Sequence, residues 1–439
     1  MTKRLHVTSY GCQMNVRDGE EVAGLLMREG YALAPSPDEA DVILFNTCSV
    51  REHAEDRVWS NVGALKTLKA SRPELIIGIL GCMAQAHQET IFRRMPHVDF
   101  VAGPASLYDV PELIETIQEE RRPQLAVARR RRPEFQQVSY HASGVSAFVT
   151  IMEGCDKFCT YCIIPFTRGR EVSRPAEQVV AEVEEVVRQG FKEVMLLGQN
   201  VNSYGRRRLS GAPTTFPQLL RRVNAVPGLE RIRFITSHPH DADDAMVAAM
   251  RDAEHVCEHL HLPVQSGSDA VLARMRRDYT AADYLAKVAA LRRAVPEVAL
   301  STDIIVGFPG ETEEDFEATR RLLETVRFDS AFMFNYSPRP MAKASQWEND
   351  VPPEVKDRRL QALLALQETI GRERDRAWLG RTVEVLAEGP SPKNPADWTG
   401  RARDNRHVVF PGGLELTGQL VRVRVHEIRG HTLVGTVMG

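Results

Sequence analysis

The segment Cys155-Asp-Lys-Phe-Cys159-Thr-Tyr-Cys162 places three cysteines within eight residues, directly after the apolar stretch 147–152. That stretch has the composition of a buried strand, and it begins a series of alternating strand and helix patterns. A loop that follows a strand in such a series lies at the edge where βα folds build their active sites. The three thiols are therefore expected together at one end of a βα domain.

The strand patterns of this domain are separated by amphipathic helical patterns. The strand candidates are Ala147 to Met152, Glu193 to Leu197, Arg231 to Thr236, His259 to Val264, Ala299 to Val306 and Ala331 to Tyr336. Six βα units are too few for the full eight-stranded TIM barrel. The sequence therefore predicts an open, partial (βα)6 barrel of TIM type over residues 141–373.

A second α/β pattern precedes the barrel, over residues 3–119, and each of its three strand candidates leads into a cysteine. The strands are Leu5 to Tyr10, Asp41 to Asn46 and Leu75 to Leu80, and the cysteines are Cys12, Cys48 and Cys82. Helical patterns between the strands predict a Rossmann-like parallel sheet. Because parallel strands end at one edge, where open α/β folds bind ligands, these three cysteines should meet in space.

After a helix predicted over Pro353 to Trp378, the pattern changes to short strands of period two with Gly and Pro turns. This is typical of a small antiparallel β-barrel, which we predict over residues 374–439. The barrel segment is locally basic, and five arginines are candidates for phosphate contacts: Arg401, Arg403, Arg406, Arg422 and Arg424. Residues 120–140 read as a basic linker, in which Arg129 to Arg132 form either a solvated connector or a phosphate-contacting edge.

The composition is that of a globular protein, with 439 residues of which 43% are hydrophobic and 26% charged. No apolar run is long enough to span a membrane and the N-terminus has no signal core, so a cytoplasmic protein is expected. The formal net charge of −3 means that nucleic acid would have to bind at local patches. Seven cysteines at motif spacing in a reducing compartment favour metal binding or chemistry over disulfides.

Three thiolates so close together suit a zinc ion or an iron–sulfur cluster. Zinc would want a fourth ligand nearby and none is obvious, whereas a cubane held by three cysteines leaves one iron open. Cys12, Cys48 and Cys82 could hold a second cluster or be buried core thiols. Cys257 has no cysteine near it in the sequence and is expected to be an ordinary core thiol.

Several motifs of this chain closely resemble the bacterial tRNA methylthiotransferases that convert N6-isopentenyladenosine to its 2-methylthio derivative. The spacing of Cys155, Cys159 and Cys162, with Tyr161 before the last, resembles the radical S-adenosylmethionine signature. The other motifs are Tyr10-Gly-Cys-Gln-Met-Asn15, Asn46-Thr-Cys-Ser-Val-Arg-Glu52, Thr167-Arg-Gly-Arg-Glu171, Leu262-Pro-Val-Gln-Ser-Gly-Ser268 and Thr302-Asp-Ile-Ile-Val-Gly-Phe-Pro-Gly-Glu311. The resemblance covers essentially the whole chain and implies an N-terminal methylthiotransferase domain, a radical S-adenosylmethionine core and a C-terminal TRAM barrel.

The resemblance implies two [4Fe-4S] clusters, on the cysteine sets 155/159/162 and 12/48/82, and two S-adenosylmethionine molecules per turnover. Its candidate cofactor-binding residues are Tyr161, the turn Gly198-Gln199-Asn200, and Asp303 and Gly307 in the stretch 303–311. An ordinary strand-to-loop turn is the alternative for the turn 198–200 and for the stretch 303–311. The implied partners are the tRNA anticodon stem-loop carrying N6-isopentenyladenosine at position 37 and an electron donor such as a flavodoxin. No side chain is expected to act as a general base.

Two other functions remain open, and the sequence differs from the family pattern at two places. A sister methylthiotransferase would act on threonylcarbamoyl adenosine in tRNA or on an aspartate of a ribosomal protein. A non-catalytic iron–sulfur protein would need the cysteines but not the S-adenosylmethionine elements. The chain departs from the family pattern at Met341-Ala342, where Gly-Thr is usual, and at Ala402, where Thr is usual.

Overall fold

The structure is a computed structural model that describes residues 2–49, 52–127, 135, 138, 140–142, 144–207 and 213–438. The run Arg129 to Arg132 of the predicted linker lies outside the described residues. Within the described part of the chain, no helix is long and apolar enough to cross a bilayer.

The N-terminal domain is a six-stranded parallel sheet with helices on both faces. Its strands are β1 (Arg4–Tyr10), β2 (Ala32–Leu33), β3 (Val42–Thr47), β4 (Ile76–Gly81), β5 (Phe100–Ala102) and β6 (Gln124–Ala126), in the order β2-β1-β3-β4-β5-β6. Its helices are α1 (Gln13–Arg28), α2 (Glu52–Ala64), α3 (Lys66–Ser71), α4 (Cys82–His87), α5 (Glu89–Arg94) and α6 (Val110–Glu120). The predicted parallel sheet is confirmed, and β3 and β4 are buried along their whole length, as central parallel strands are. Strand β6 lies inside the segment expected as a linker, so the sheet extends beyond residue 119.

The central domain has six main parallel strands that follow one another in chain order, with two short strands near the cysteine loop. The strands are β7 (Ser146–Thr150), β8 (Met152–Glu153), β9 (Val172–Ser173), β10 (Glu193–Leu197), β11 (Arg231–Ile235), β12 (His259–His261), β13 (Ala299–Val306) and β14 (Ser330–Asn335). The helices are α7 (Ile164–Thr167), α8 (Ala176–Arg188), α9 (Phe216–Asn224), α10 (Asp244–Asp252), α11 (Asp269–Met275), α12 (Ala281–Ala294), α13 (Glu313–Val326) and α14 (Pro353–Arg376). A parallel bridge between Ile232 and Val256 joins the sheets β7-β10-β11 and β12-β13-β14, which gives the predicted partial barrel.

The C-terminal domain is a closed five-stranded barrel. Its strands are β15 (Thr382–Pro390), β16 (Asp397–Ala402), β17 (His407–Pro411), β18 (Leu420–Arg429) and β19 (Thr432–Val437), in the order β15-β16-β17-β19-β18. The barrel was predicted, but the pair β17–β19 is parallel where an all-antiparallel barrel was expected. The methyl group of Ala402 is buried in the apolar interior of this barrel, so the departure from Thr changes its packing and not its surface.

The C-terminal barrel docks against the amino ends of the central strands. Arg231 and Arg233 at the start of β11 donate to barrel carbonyls, with Arg231 Nη1 2.6 Å from the Arg401 oxygen. In return, Arg403 donates to both carboxylate oxygens of Glu258, at 2.7 and 2.9 Å. The docked barrel therefore lies at the opposite end of the partial barrel from the cysteine loop.

Candidate active site

Cys12, Cys48 and Cys82 follow three adjacent strands whose last residues lie side by side. Tyr10 of β1 pairs with Thr47 of β3, which pairs with Gly81 of β4. The parallel register thus places the three cysteines at one sheet edge, as the sequence predicted. A hydrogen bond with Cys48 lowers the pKa of the Cys12 thiol to about 6.

Two glycines allow the strand ends to come together at this edge. A Cβ on Gly11 would lie 2.2 Å from the Cβ of Cys48, and the Gly11 φ of 121° is one that other residues rarely adopt. A Cβ on Gly81, whose φ is 88°, would lie 2.2 Å from Oδ1 of Asn46. Gly11 and Gly81 are therefore required both by their backbone conformation and because any side chain there would overlap a residue of the neighbouring strand end.

The loop that carries Cys155, Cys159 and Cys162 is held by backbone contacts from several elements. The Cys155 amide donates to the Gly169 carbonyl at 3.2 Å, and the Thr160 amide donates to the Met275 carbonyl at 3.1 Å. Asp156 accepts from Arg170 Nε at 2.5 Å, which ties the loop to the segment that follows it. The three thiols are thus presented by a braced loop.

Arg277 is a buried cation in contact with this loop, and sequence analysis missed it. Its Nη1 lies 3.5 Å from Sγ of Cys159 and 3.3 Å from the Tyr161 hydroxyl, while Nη2 donates to the Pro263 carbonyl at 2.7 Å. The residues on either side, Arg276 and Asp278, both have left-handed φ values, of 58° and 56°. Because left-handed backbone is unfavourable for arginine, the chain accepts strain at Arg276, directly before the residue that contacts the cysteine loop. The sequence carries no periodic signal for this contact.

The turn Gly198-Gln199-Asn200 lies beside the loop. The Gln199 side-chain oxygen accepts from the amide of Gly154, next to Cys155, at 2.6 Å. Asn200 is buried and donates to Asp241 at 2.7 Å, and a Cβ on Gly198 would lie 2.5 Å from Cγ of Met152. These contacts give the turn a bracing role, and whether it also binds a cofactor stays a prediction.

A cavity of about 420 Å³ opens next to Cys155 and is lined by Asp156, Lys157, Arg170, Glu171, Arg206 and Arg207. Glu171 is the buried acid of this cavity. Its Oε2 accepts from Ser203 at 2.5 Å, and its Oε1 is buried with no hydrogen-bond partner among the residues that the structure describes. Burial raises the pKa of Glu171 to about 7. The cavity therefore has the polar character expected of a site for a zwitterionic ligand such as an amino acid.

Asp303 and Gly307 lie on the next part of the barrel edge, in and after β13. The Asp303 carboxylate faces the barrel interior, with Oδ2 3.5 Å from Nε2 of His261. The Gly307 amide donates to Glu311 at 2.7 Å, and Glu311 in turn accepts from Arg359 at 2.8 Å. The structure thus gives Gly307 and Glu311 a turn-forming role, and their contact with S-adenosylmethionine stays a prediction.

The short segment 162–168 links the two cysteine sets. Helix α7 begins two residues after Cys162, and its last residue, Thr167, forms a hydrogen bond with Cys82 of the other set. With a helical rise of about 1.5 Å per residue, the two ends of this segment are on the order of 10 Å apart. The next residue, Arg168, forms a buried ion pair with Asp18 of α1.

The chemistry of the cysteine loop 155–162 fits a positively charged iron–sulfur core. Burial raises the pKa of Cys155 to about 12 and raises that of Cys162, so these thiols lose their protons only when a cation compensates them. Among the described residues, no three His, Cys, Asp or Glu side chains converge on a single metal ion. A cubane distributes its three ligands over separate irons, so this finding does not conflict with a cluster. Cys257 lies apart, buried and bordered by Arg233, in agreement with its predicted core role.

Comparisons with known proteins agree with this architecture. Residues 4–103 match the family described as uncharacterized protein family UPF0004, residues 149–323 match the radical SAM superfamily, and residues 376–438 match the TRAM domain. The fold is similar to that of the radical S-adenosylmethionine methyltransferase TsrM from Kitasatospora setae, with a TM-score of 0.58 at 15% identity over 79% of this chain and 75% of that one. It is also similar to the cobalamin-dependent radical enzyme OxsB, with a TM-score of 0.51 at 12% identity over 81% of this chain and 56% of that one.

Together, the domains and the cysteine loop define a radical S-adenosylmethionine enzyme of the methylthiotransferase class. Over 99% of its length the chain is 46% identical to the tRNA-2-methylthio-N(6)-dimethylallyladenosine synthases of Acetivibrio thermocellus and Moorella thermoacetica, of which it covers 91% and 98%. The chain belongs to this synthase family. Membership of the radical SAM superfamily implies S-adenosylmethionine and a [4Fe-4S] cluster as cofactors.

Proposed function

We propose that this chain adds a methylthio group to C2 of N6-isopentenyladenosine at position 37 of tRNA, next to the anticodon. The observation that carries the proposal is that the short segment 162–168 joins the cysteine loop to the sheet edge that holds Cys12, Cys48 and Cys82. The C2–H bond of adenine is unreactive toward acid–base catalysis at neutral pH, so a cofactor must carry the chemistry. Two adjacent cofactor sites, one for radical generation and one for sulfur, suit this reaction.

In this proposal Cys155, Cys159 and Cys162 hold the cluster that binds S-adenosylmethionine, and the set 12/48/82 holds a second [4Fe-4S] cluster. When bound, these groups supply radical chemistry and the transferred sulfur, with two S-adenosylmethionine molecules consumed per turnover. Tyr161, Gly198, Gln199, Asn200, Asp303 and Gly307 are the proposed S-adenosylmethionine contacts. The polar cavity at Glu171 supports a site for the amino-acid end of this cofactor.

The chain's own residues orient the cofactors and exclude water. Arg168 and Asp18 bury their charges between the two sets, and Arg277 places a cation against Cys159. A second link between the domains runs from Arg17 of α1 to Glu182 of α8, at 3.1 Å. Because buried ion pairs between domains resist rearrangement, these contacts keep the two sets at a fixed separation.

The proposed macromolecular substrate is the tRNA anticodon stem-loop, whose bases can be splayed out for recognition. To reach C2, the adenine must leave its stack and enter the space between the cysteine sets. Arg422 and Arg424 on β18 are exposed and available for phosphate contacts. An electron donor such as a flavodoxin is proposed as a second partner, because the radical chemistry requires a reductant.

The test uses anaerobically reconstituted protein and an RNA stem-loop that carries N6-isopentenyladenosine. We expect about eight irons per chain and a 2-methylthio product by mass spectrometry of the nucleosides. Replacing Cys155, Cys159 and Cys162 by Ala should leave about half the iron and abolish 5′-deoxyadenosine formation. Replacing Cys12, Cys48 and Cys82 should abolish the product and preserve 5′-deoxyadenosine.

The matched control is Cys257→Ala, a buried cysteine outside both sets, which should keep all the iron and form the product. Full product from the variant without Cys12, Cys48 and Cys82 would contradict the proposal. Product only on a threonylcarbamoyl adenosine stem-loop would assign the chain to the sister activity. No product on any RNA from the fully iron-loaded protein would favour the non-catalytic alternative.

A further inference from the structure

The inner face of the partial barrel can be separated from its outer face by strand alternation. On β13 and β14, Ile304 and Met333 pack into the core under the surrounding helices. In the parallel register Asp303 pairs with Phe332 and Ile305 with Phe334, so these four side chains point to the opposite, inner face.

Phe332 and Phe334 are unusually exposed for aromatic residues on a central-domain strand. Their residues are 48% and 41% accessible, and the Phe332 ring meets His261 edge-on with 6.0 Å between ring centres. Partly buried Phe148 and Met195 occupy the inner face on the other side of the barrel, on β7 and β10. We call Phe148, Met195, Phe332 and Phe334 the apolar belt. It is interrupted by Arg233, in register with Met195, and by Asp303, in register with Phe332.

A polar level lies on the side of the belt nearer the C-terminal barrel. At this level, Glu193 pairs with Arg233 at 2.7 Å, and the C-terminal barrel covers that end. On the other side of the belt, Ile305 packs against the same small hydrophobic cluster as Tyr161 of the cysteine loop. Phe334 pairs with Ile305 in the parallel register, so it lies at the level just below that loop. A ligand that contacts Phe332 and Phe334 therefore extends from these rings toward the loop that carries Cys155, Cys159 and Cys162.

We propose that Phe332 and Phe334 determine specificity by binding the N6-dimethylallyl group of the target adenosine. This inference rests on the proposed function and names the part of the substrate that the apolar belt recognises. The dimethylallyl group is a branched, five-carbon apolar substituent, and its burial against two half-exposed rings removes apolar surface from water on both sides. A threonylcarbamoyl group at the same nitrogen would bind less well, because its carboxylate would lose hydration against these apolar rings.

The test measures Kd for three stem-loops that are identical except at position 37: N6-isopentenyladenosine, adenosine and threonylcarbamoyl adenosine. The protein is the cluster-loaded full chain. Because one methylene in an apolar pocket is worth about 10- to 200-fold, Phe332→Ala or Phe334→Ala should reduce the preference for isopentenyladenosine over adenosine by about tenfold or more. Phe332→Leu, which keeps an apolar side chain, should retain most of that preference.

The control is Leu414→Ala, which removes an 81% exposed apolar side chain from the C-terminal barrel and should leave the preference unchanged. An unchanged preference in both Phe variants, with equal weakening for all three RNAs, would overturn the inference in favour of a structural role. So would loss of S-adenosylmethionine affinity with an intact RNA preference, which would assign the belt to the cofactor. A wild-type protein that prefers isopentenyladenosine but forms no methylthio product would contradict the proposed function and not this inference.

Discussion

The guanidinium of Arg168 in the central domain forms a buried ion pair with the carboxylate of Asp18 in the N-terminal domain, and each side chain is 1% exposed. Asp18 comes six residues after Cys12, and Arg168 comes six residues after Cys162. Burial alone would lower the pKa of Arg168, but Asp18 raises it well above its ordinary value. The pair is therefore a charged contact that joins the two cysteine sets through the chain segments that carry them.

Replacing Asp18 should uncouple the two halves of the reaction. In Asp18→Ala the Arg168 charge stays buried without its carboxylate, which costs about 3–5 kcal/mol of unfolding free energy. Asp18→Asn keeps the shape and loosens the contact. We expect both variants to form 5′-deoxyadenosine but less methylthio product per 5′-deoxyadenosine than the wild type, measured by mass spectrometry of the two products.

Glu39→Gln provides the control for this prediction. It breaks the Arg4–Glu39 pair, whose side chains are 50% and 48% exposed, and exposed pairs contribute under about 1 kcal/mol. Stability and product ratio should both be close to those of the wild type. An Asp18→Asn protein with the wild-type product ratio would show that the ion pair does not set the separation of the two sites.

Arg277 should tune the redox chemistry of the 155/159/162 set. A buried cation 3.5 Å from Cys159 Sγ favours the cluster state that carries the extra electron. Arg277→Gln should therefore shift the reduction potential of this cluster to a more negative value and slow 5′-deoxyadenosine formation. The measurement is a redox titration followed by electron paramagnetic resonance, in a background that lacks Cys12, Cys48 and Cys82.

Arg276→Gln is the matched control, because Arg276 is the adjacent arginine and its side chain is exposed. Its removal should leave the potential unchanged. Equal shifts in both variants would mean that a general loss of positive charge, and not the buried contact, sets the potential.

The fold was predictable wherever the strands of the parallel sheets were long. Strands β1, β3 and β4 have six or seven residues, and a cysteine follows each within two residues, so they could be identified in the sequence. Strands β2, β5 and β6 have only two or three residues, too few for a period-two pattern, and were missed. They are held by pairing with their neighbours, which the local sequence does not encode.

The candidate site was predictable in its cysteines but not in its charged contacts. Local spacing identifies the cysteines, whereas Arg277 reaches Cys159 from more than a hundred residues away.

For the same reason, the sequence could not distinguish the arginines of the C-terminal barrel that contact the central domain from those that face solvent. Arg403 and Arg406 were expected to contact phosphates, yet Arg403 binds Glu258 and Arg406 binds Asp329 at 2.7 Å. A sequence shows which residues are charged, but their partners depend on how the domains dock.

Salt dependence of tRNA binding should separate the two kinds of arginine in this barrel. Arg422 and Arg424 alternate with buried valines on β18 and point to solvent. If each contacts a phosphate, replacing it by Ala should reduce the slope of log K against log salt by about 0.7–0.9. The measurement is tRNA binding at several salt concentrations.

Arg403→Ala and Arg406→Ala should behave differently, because these side chains hold the barrel against the central domain. We expect them to weaken the docking, seen as faster proteolysis between the domains, with no comparable change in salt slope per residue. Unchanged slopes in both Arg422 and Arg424 variants would move the phosphate contacts to another surface.

His431 should be a pH-sensitive contact between the C-terminal barrel and α14. Its Nδ1 lies 2.7 Å from Asp375 and its Nε2 2.9 Å from Glu368, and these hydrogen bonds raise the pKa of His431 above its ordinary value of about 6.5. The protonated ring is thus favoured in the folded protein. Its stabilising contribution is fully present below the unfolded pKa of about 6.5 and is lost as the pH rises through the higher folded value. Because the side chain is half exposed, the contribution is under about 1 kcal/mol.

The prediction is checked by nuclear magnetic resonance titration of the His431 Cε1–H signal, which is identified by its absence in His431→Gln. The midpoint should lie above pH 6.5 in the wild type and should be lower in Glu368→Gln. A midpoint at or below 6.5 in the wild type would mean that the two carboxylates do not hold the charged ring in solution.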